Sequence, residues 1–298
     1  MRFIHLSDPH LSSLDGHSLR AALGKRHSGY LSWKFRRRLI YSRETLECLT
    51  TAIRSEAADQ LILTGDLVQI GLEEEINEVS HWLAELAPAD QIFFVPGNHD
   101  VYARDSWEAL RRHWHFVLPA PVSGAHDSST SAYPYIRDIG MVRLIGASSA
   151  CVTPVFSARG SLGQKQLDRL DVMLREAREL GRMPCLVIHH PPLPHTSSWR
   201  RALKENHALK ALISARQPAL VCYGHQHENV EFTEGAARIF CTAAASSIEN
   251  ASYRIFDIDP IEQGDRQSWS IHMRLKSIAA DKTSFIMAEE KRWVFTLW

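Results

Sequence analysis

Residues 93–100 read FFVPGNHD, an apolar run, Phe93 to Pro96, that ends in Gly97, Asn98, His99 and Asp100. A short apolar run bounded by Gly, Pro or Asp reads as a buried strand, so this strand ends in an amide, an imidazole and a carboxylate. The pattern recurs on both sides: FIHLSDPH (3–10) closes on Asp8 and His10, LILTGD (61–66) on Asp66, CLVIHH (185–190) on His189 and His190, and LVCYGHQH (220–227) on His225 and His227. Folds of the α/β class place their chemistry at strand ends. Five strand ends bearing metal-ligand residues point to one metal-dependent site, and a two-metal hydrolase is the natural reading. Two divalent ions roughly 3.5–4 Å apart can share a hydroxide and clamp the attacking and leaving oxygens of an in-line phosphoryl displacement. Such a centre needs a bridging carboxylate, several imidazoles and a neutral oxygen donor, all of which are present. Imidazole with carboxylate suits manganese, iron or zinc, and the lack of thiolate ligands argues against a closed structural zinc site.

Around these runs the chain alternates strand and helix. Strand-like runs at 2–6, 60–64, 91–95, 142–146, 185–189 and 219–223 are separated by segments of helical period, the βαβ pattern. Residues 43–57 carry Leu46, Leu49, Thr50, Ile53 and Ala57 on one face behind Ser42 as N-cap, and 73–86 carry Ile76, Val79, Leu83 and Leu86 behind an acidic first turn. A third helix is expected from about 162 to 180, opened by a capping box of Ser161 and Gln164 and stopped by Gly181. After His227 the runs are short and β-like, as in an antiparallel part of a sheet system, and 120–133 and 259–267 are loop-rich. The motifs run from Asp8 to His227 and must converge, so residues 1–298 are expected to form one α/β domain. Its core motifs span 1–230, an insertion about 16–43, and a β-rich part 228–298.

Lys plus Arg equals Asp plus Glu at 34 each, so overall charge favours no polyanionic partner, and no nucleic-acid-binding signal is evident. Five cysteines, widely spaced and without a C-x-x-C, read as buried hydrophobes of a reducing compartment. The run before Asp8 is too short for a signal segment and no stretch of about 18 apolar residues occurs. A cytoplasmic location is expected, with contact at a membrane surface as an open addition.

Asp8-x-His10, Gly65-Asp66, Gly97-Asn98-His99-Asp100, His189-His190-Pro191-Pro192 and Gly224-His225-x-His227 resemble the five ordered motifs of the calcineurin-like metallophosphoesterases. The resemblance covers about residues 1–230. It implies a four-layer αββα sandwich of two mixed sheets flanked by helices. It also implies that Asp8, His10, Asp66 and His227 hold one metal while Asp66, Asn98, His189 and His225 hold the other, with Asp66 bridging. His99 would contact the phosphoryl oxygen or protonate the leaving group, and Asp100 would fix its imidazole. His190 falls behind the ligand His189. The His-His-Pro-Pro form further resembles the branch containing cyclic-nucleotide and glycerophosphodiester phosphodiesterases, which implies a small nucleotide or glycerophosphodiester as substrate and a metal-bridging hydroxide as nucleophile.

Between Gly16 and Arg43 lie eight basic residues and no acidic one, interleaved with Tyr30, Leu31, Trp33, Phe35, Leu39, Ile40 and Tyr41. These apolar positions spread around a helical wheel rather than forming one stripe, which disfavours a simple amphipathic membrane helix. A partly packed cap over the site is the preferred reading, a solvated insertion the plainer one. Arg36, Arg37 and Arg38, with His190 and His195 of the proline-pair loop, are the candidate substrate contacts. A basic aromatic cap also has the texture of hydrolases that cleave UDP-2,3-diacylglucosamine, so a lipid-linked nucleotide sugar is the alternative substrate. A metal-binding scaffold without turnover predicts gaps among the motif residues, and none is missing.

Overall fold

In the computed structural model, which describes residues 1–16, 24–120, 132–261 and 266–297, the strands fall into two six-stranded sheets. In the first, β1 (Arg2–Leu6), β2 (Gln60–Leu63) and β3 (Ile92–Phe94) run parallel, with Ile4 opposite Leu61 and Leu61 opposite Ile92. Antiparallel β10 (Ser252–Ile261), β11 (Ser268–Ile278) and β12 (Phe285–Thr296) complete the order β12-β11-β10-β1-β2-β3. The second sheet has the order β4-β5-β6-β7-β9-β8. It comprises β4 (Tyr135–Ile139), β5 (Val142–Gly146), β6 (Met183–Val187), β7 (Leu220–Tyr223), β8 (Val230–Glu234) and β9 (Ala237–Cys241). Both sheets are mixed, as expected, but the region after His227 is not wholly antiparallel. β9 runs parallel to β7 and only β8 turns back beside it; the alternating run RIFCTA fixes a strand but not the direction of its neighbour.

The sheets pack face to face with helices outside each, the four-layer αββα arrangement. Along β6 and β7, Met183, Cys185, Val187, Leu220 and Cys222 share one core with the first sheet, whereas Leu186, Val221 and Tyr223 pack with the outer helices. This period-two partition explains why the strands read as unbroken apolar runs: both faces are buried. α2 (Arg43–Ser55) and α3 (Glu73–Leu86) join the core of the first sheet, and α5 (Gly163–Glu179) and α6 (Asn206–Arg216) cover the second. α1 (Lys25–Phe35) and α4 (Ser106–His113) are the two remaining α-helices among the described residues.

Helix starts follow local chemistry. Ser42 accepts from the Thr45 amide at 3.2 Å, the N-cap expected of it. Glu75 caps α3 through the Leu72 amide at 2.9 Å and also accepts from Gln69 N and Ser12 Oγ, so the loop after β2 is tied to the loop after β1. The start of α5 departs from the expected capping box. Ser161 donates to Glu205 Oε1 and Gln164 to Asp168 Oδ1, while Glu205 accepts the Leu162 amide at 2.9 Å and so caps from another loop. The helix stops as expected, with Gly181 at φ 64° and the Arg182 amide bonded to the Ala177 carbonyl at 2.7 Å. The free cysteines Cys185, Cys222 and Cys241 are buried, in keeping with their reading as core residues. Most of the stretch 120–133, residues 262–265 and residues 17–23 of the basic segment lie outside the described residues.

Candidate metal centre

All five motifs leave the carboxyl ends of parallel strands: β1, β2 and β3 in the first sheet, β6 and β7 in the second. Each chain must turn sharply there, and Asp8 (φ 52°), His10 (39°), Asp66 (55°), His225 (70°) and His227 (59°) all occupy the left-handed region, which costs energy for residues with a Cβ. Cross-strand bonds hold these turns: Asp8 N to Gly65 O at 3.0 Å, His10 N to Asp66 O at 3.1 Å and Gly224 N to His189 O at 3.0 Å. Two glycines are required by close approach. A methyl on Gly97 would collide with the amide and carboxylate of Asp66, and one on Gly224 would collide with Ser7 Oγ and the Asp8 carboxylate.

The side chains converge in two groups. Asp8, His10, Asp66 and His227 each present a ligand atom within 4.8 Å of the others, and Asp8 Oδ1 lies 3.1 Å from His227 Nε2. In the second group His189 Nε2 lies 3.3 Å from Asn98 Oδ1, 3.4 Å from Asp66 Oδ2 and 3.2 Å from His225 Nδ1. Asp66 therefore stands in both groups. Three of these rings are fixed from behind: His10 Nδ1 by the Val68 carbonyl at 3.0 Å, His189 Nδ1 by the Thr64 carbonyl at 2.5 Å and His227 Nδ1 by the Tyr41 hydroxyl at 2.9 Å.

The donor chemistry fits cations. Nε2 of His10 is buried with no hydrogen-bond partner while its Nδ1 is held from behind, and an orphaned polar atom of this kind is rare unless a ligand satisfies it. Burial would raise the Asp66 carboxyl, but the facing imidazoles of His189, His99 and His10 outweigh it and hold it well below the usual carboxylate range. Burial, reinforced by neighbouring imidazoles, pushes His10 and His225 well below the ordinary imidazole value, so their lone pairs are available. At His189 burial opposes the charge, yet Asp66 and then Asp8 draw the ring up to about 9. Two buried carboxylates thus demand positive charge where the donor atoms meet.

His99 stands outside both groups. Its Nδ1 pairs with the Gln69 carbonyl, which only accepts, so this nitrogen carries the proton and Nε2 is left for a substrate. Arg37 Nη1 lies 3.1 Å from the same nitrogen and donates to the same carbonyl at 3.1 Å. The expected contact of Asp100 with the His99 ring is corrected by the structure. Asp100 accepts from the amides of Asp66, Leu67 and Gly97, each at 2.8 Å, and so locks the second and third motif loops together. A buried carboxylate among bare amides at a strand end has its demand met by backbone before any side chain reaches it.

Other candidates sort differently. Arg37 is in place beside His99. Arg36 is exposed at the end of α1, and Arg38 lines a separate small cavity near His10 and Tyr41. His190 is fully buried and both ring nitrogens are engaged, by Ser149 Oγ at 2.8 Å and the Ala158 carbonyl at 3.2 Å, so it positions the neighbouring ring of His225 and does not reach a substrate. His195 is exposed and edge-on to His207, outside the cleft. The expected cap is partly packed: Trp33 of α1 is buried with Leu14, Ile70, Leu72 and Tyr102. Sequence reasoning missed the roles of Tyr41, stacked on His10 with ring centroids 4.7 Å apart, and of Gln69, whose contact with His99 is made by a backbone carbonyl that no side-chain pattern reports.

A family model described as calcineurin-like phosphoesterase matches residues 1–229. The chain is 29% identical over 187 residues to a 3',5'-cyclic-nucleotide phosphodiesterase of Nostoc, covering 57% of this chain and 56% of that protein, a little over half its length. It is 26% identical over 234 residues to a 3',5'-cyclic adenosine monophosphate phosphodiesterase of Escherichia coli K12, covering 75% of this chain and 74% of that one. Among solved structures, a dimetal phosphatase from Danio rerio superposes with a TM-score of 0.62 at 14% identity, covering 98% of both chains. A purple acid phosphatase from yellow lupin does so with a TM-score of 0.56 at 11% identity, covering 98% of this chain and 53% of that one.

Proposed function

The chain belongs to the calcineurin-like phosphoesterases, enzymes that hydrolyse phosphoester bonds, and from that premise we propose that it cleaves small phosphodiesters, cyclic nucleotides foremost, at a centre of two divalent ions. The observation that carries this reading is that Asp66, grouped with Asp8, His10 and His227, also lies 3.4 Å from Nε2 of His189, which clusters with His225. Asp8, His10, Asp66 and His227 would hold one ion and Asp66, Asn98, His189 and His225 the other. When bound, such a pair supplies Lewis-acid polarisation of phosphoryl oxygens and an acidified water. The protein's own residues orient and exclude. The Gln69 carbonyl accepts from Nδ1 of His99 and from Arg37, which leaves Nε2 of that ring to accept a proton or, once the ring is protonated, to share one with a phosphoryl or leaving oxygen. The Tyr41 ring closes over His10 and its hydroxyl steadies His227. The names of the Nostoc and Escherichia coli relatives favour a cyclic nucleotide over a phosphomonoester.

A panel of bis-p-nitrophenyl phosphate, p-nitrophenyl phosphate and cyclic AMP with added manganese tests the reading. Diester turnover should exceed monoester turnover by at least about tenfold, a difference of about 1.4 kcal/mol in transition-state stabilisation. A preference for the monoester would contradict it. One observation favours a second reading, a lipid-linked nucleotide sugar: Phe35 and Leu39 are 72% and 68% exposed beside Arg36 and Arg38. Sedimentation with anionic liposomes and hydrolysis of UDP-2,3-diacylglucosamine would support it.

A further inference from the structure

A cleft of about 520 Å³ opens beside Asn98 and His99, between α1 and the loops at 152–158 and 198–201. Its lining includes Lys25, Arg37, Arg200 and Arg201 and contains no Asp or Glu. Lys25 is held by Thr153 Oγ1 at 2.6 Å and lies 4.4 Å from the centre of the Tyr102 ring. Arg37 donates to the carbonyls of Gln69 and Gly29, Arg201 to that of His225, and the Arg200 guanidinium sits 5.2 Å over the Trp199 ring. Among the described residues none of the four has a carboxylate in ion-pair contact. Burial, only partly offset by Cys151 and Asp66, pushes the Lys25 ammonium down to about 8, a sign that its charge is poorly compensated.

Lys25 and Arg37 are drawn partly out of water while Arg200 and Arg201 stand exposed, and four cations lining one cleft without counter-charge attract an anion. The ester being cleaved brings only one negative charge, and the donor groups on Asp66 and His99 at the cleft's inner end take it up, which leaves the four cations short of counter-charge. We propose that the cleft is a subsite for a second phosphate group, so that the preferred substrate is a phosphodiester or phosphoanhydride bearing another phosphate beside the one attacked. The proposal rests on the phosphodiesterase reading above and narrows its substrate class. A neighbouring phosphate could belong to an anhydride, with about one negative charge, or to a separate terminal ester, with about one and a half to two at pH 7, and either presents an anion to Lys25 and Arg200.

The test uses the manganese-loaded enzyme. The dinucleotide pApA differs from ApA by one terminal phosphate with the scissile bond unchanged; diadenosine diphosphate is the anhydride arm and, its scissile bond being of another kind, is compared only between wild type and variants. If the second phosphate is a terminal ester, wild-type kcat/KM for pApA should be about tenfold or more above that for ApA, an advantage carried by KM and shrinking as salt rises. In Lys25→Met and Arg200→Met the ratio of kcat/KM for pApA or for diadenosine diphosphate to kcat/KM for bis-p-nitrophenyl phosphate should fall about tenfold, whereas a merely structural defect would lower both together. If bis-p-nitrophenyl phosphate is turned over but neither ratio moves in the variants, the second-phosphate subsite is wrong and the phosphodiesterase reading stands. If no diester is hydrolysed by the metal-loaded protein, both fall.

Discussion

Asp66 is buried, shared by the two donor groups, and its backbone amide is held by Asp100. Replacing it with Asn keeps the shape but removes the charge that both groups need, so turnover of a diester should drop by at least about 10³-fold with a loss of bound metal. Kinetics and metal analysis on Asp66→Asn check this; near-normal turnover with full metal content would remove the shared carboxylate from the mechanism. His99 makes a different case because it lies outside both groups. His99→Ala should retain its metal, slow alkyl diesters with poor leaving groups by about 10²-fold, and slow p-nitrophenyl esters much less, since a good leaving group needs little protonation. Equal losses for the two kinds of ester would show that His99 only positions. At this scale the convergence of the candidate ligands was legible in the sequence, because Asp, Asn and His at strand ends have few structural uses in such density. It did not reveal the backbone partners Thr64, Val68 and Gln69, since a carbonyl oxygen is common to every residue. For the same reason the Asp100 carboxylate was assigned to a ring when amides take it.

The elements that bring the motifs together do so through backbone contact at the strand ends, most tightly where the loop after β2 meets the loop after β3. Gly97→Ala would place a methyl against Asp66, and an overpacked contact of this kind costs about 1–3 kcal/mol. The melting temperature should fall and diester turnover should fall further than stability alone explains, because the displaced atom belongs to the proposed bridging carboxylate. An unchanged melting curve with unchanged turnover would show that these loops yield without consequence. Periodicity recovered α2, α3 and α5 and the strands around the site, since burial on one face or both dictates their pattern. It could not give the pairing of β9 with β7, because strand direction depends on where the chain returns, nor the cap of α5, because Glu205 comes from a loop about forty residues on. The basic segment was legible only as a cap of uncertain packing: its apolar side chains divide between a buried set around Trp33 and an exposed set at Phe35 and Leu39.

Across the whole molecule, two sheets packed face to face bring the loops at their strand ends to one cluster of donors, with Asp8, Asp66 and Asn98 from the first and His189, His225 and His227 from the second. Cations bound there would tie the sheets together, so chelation should lower the melting temperature as well as the activity, by the linkage of binding to folding. The shared use of Asp66 makes the central claim, that two ions act as one centre, directly testable by stoichiometry. Metal-stripped protein is titrated with manganese while bis-p-nitrophenyl phosphate hydrolysis and bound metal are followed together. Turnover should be negligible at the start and should saturate only when about two ions are bound per chain. Full turnover with no ion or with a single ion bound would contradict it.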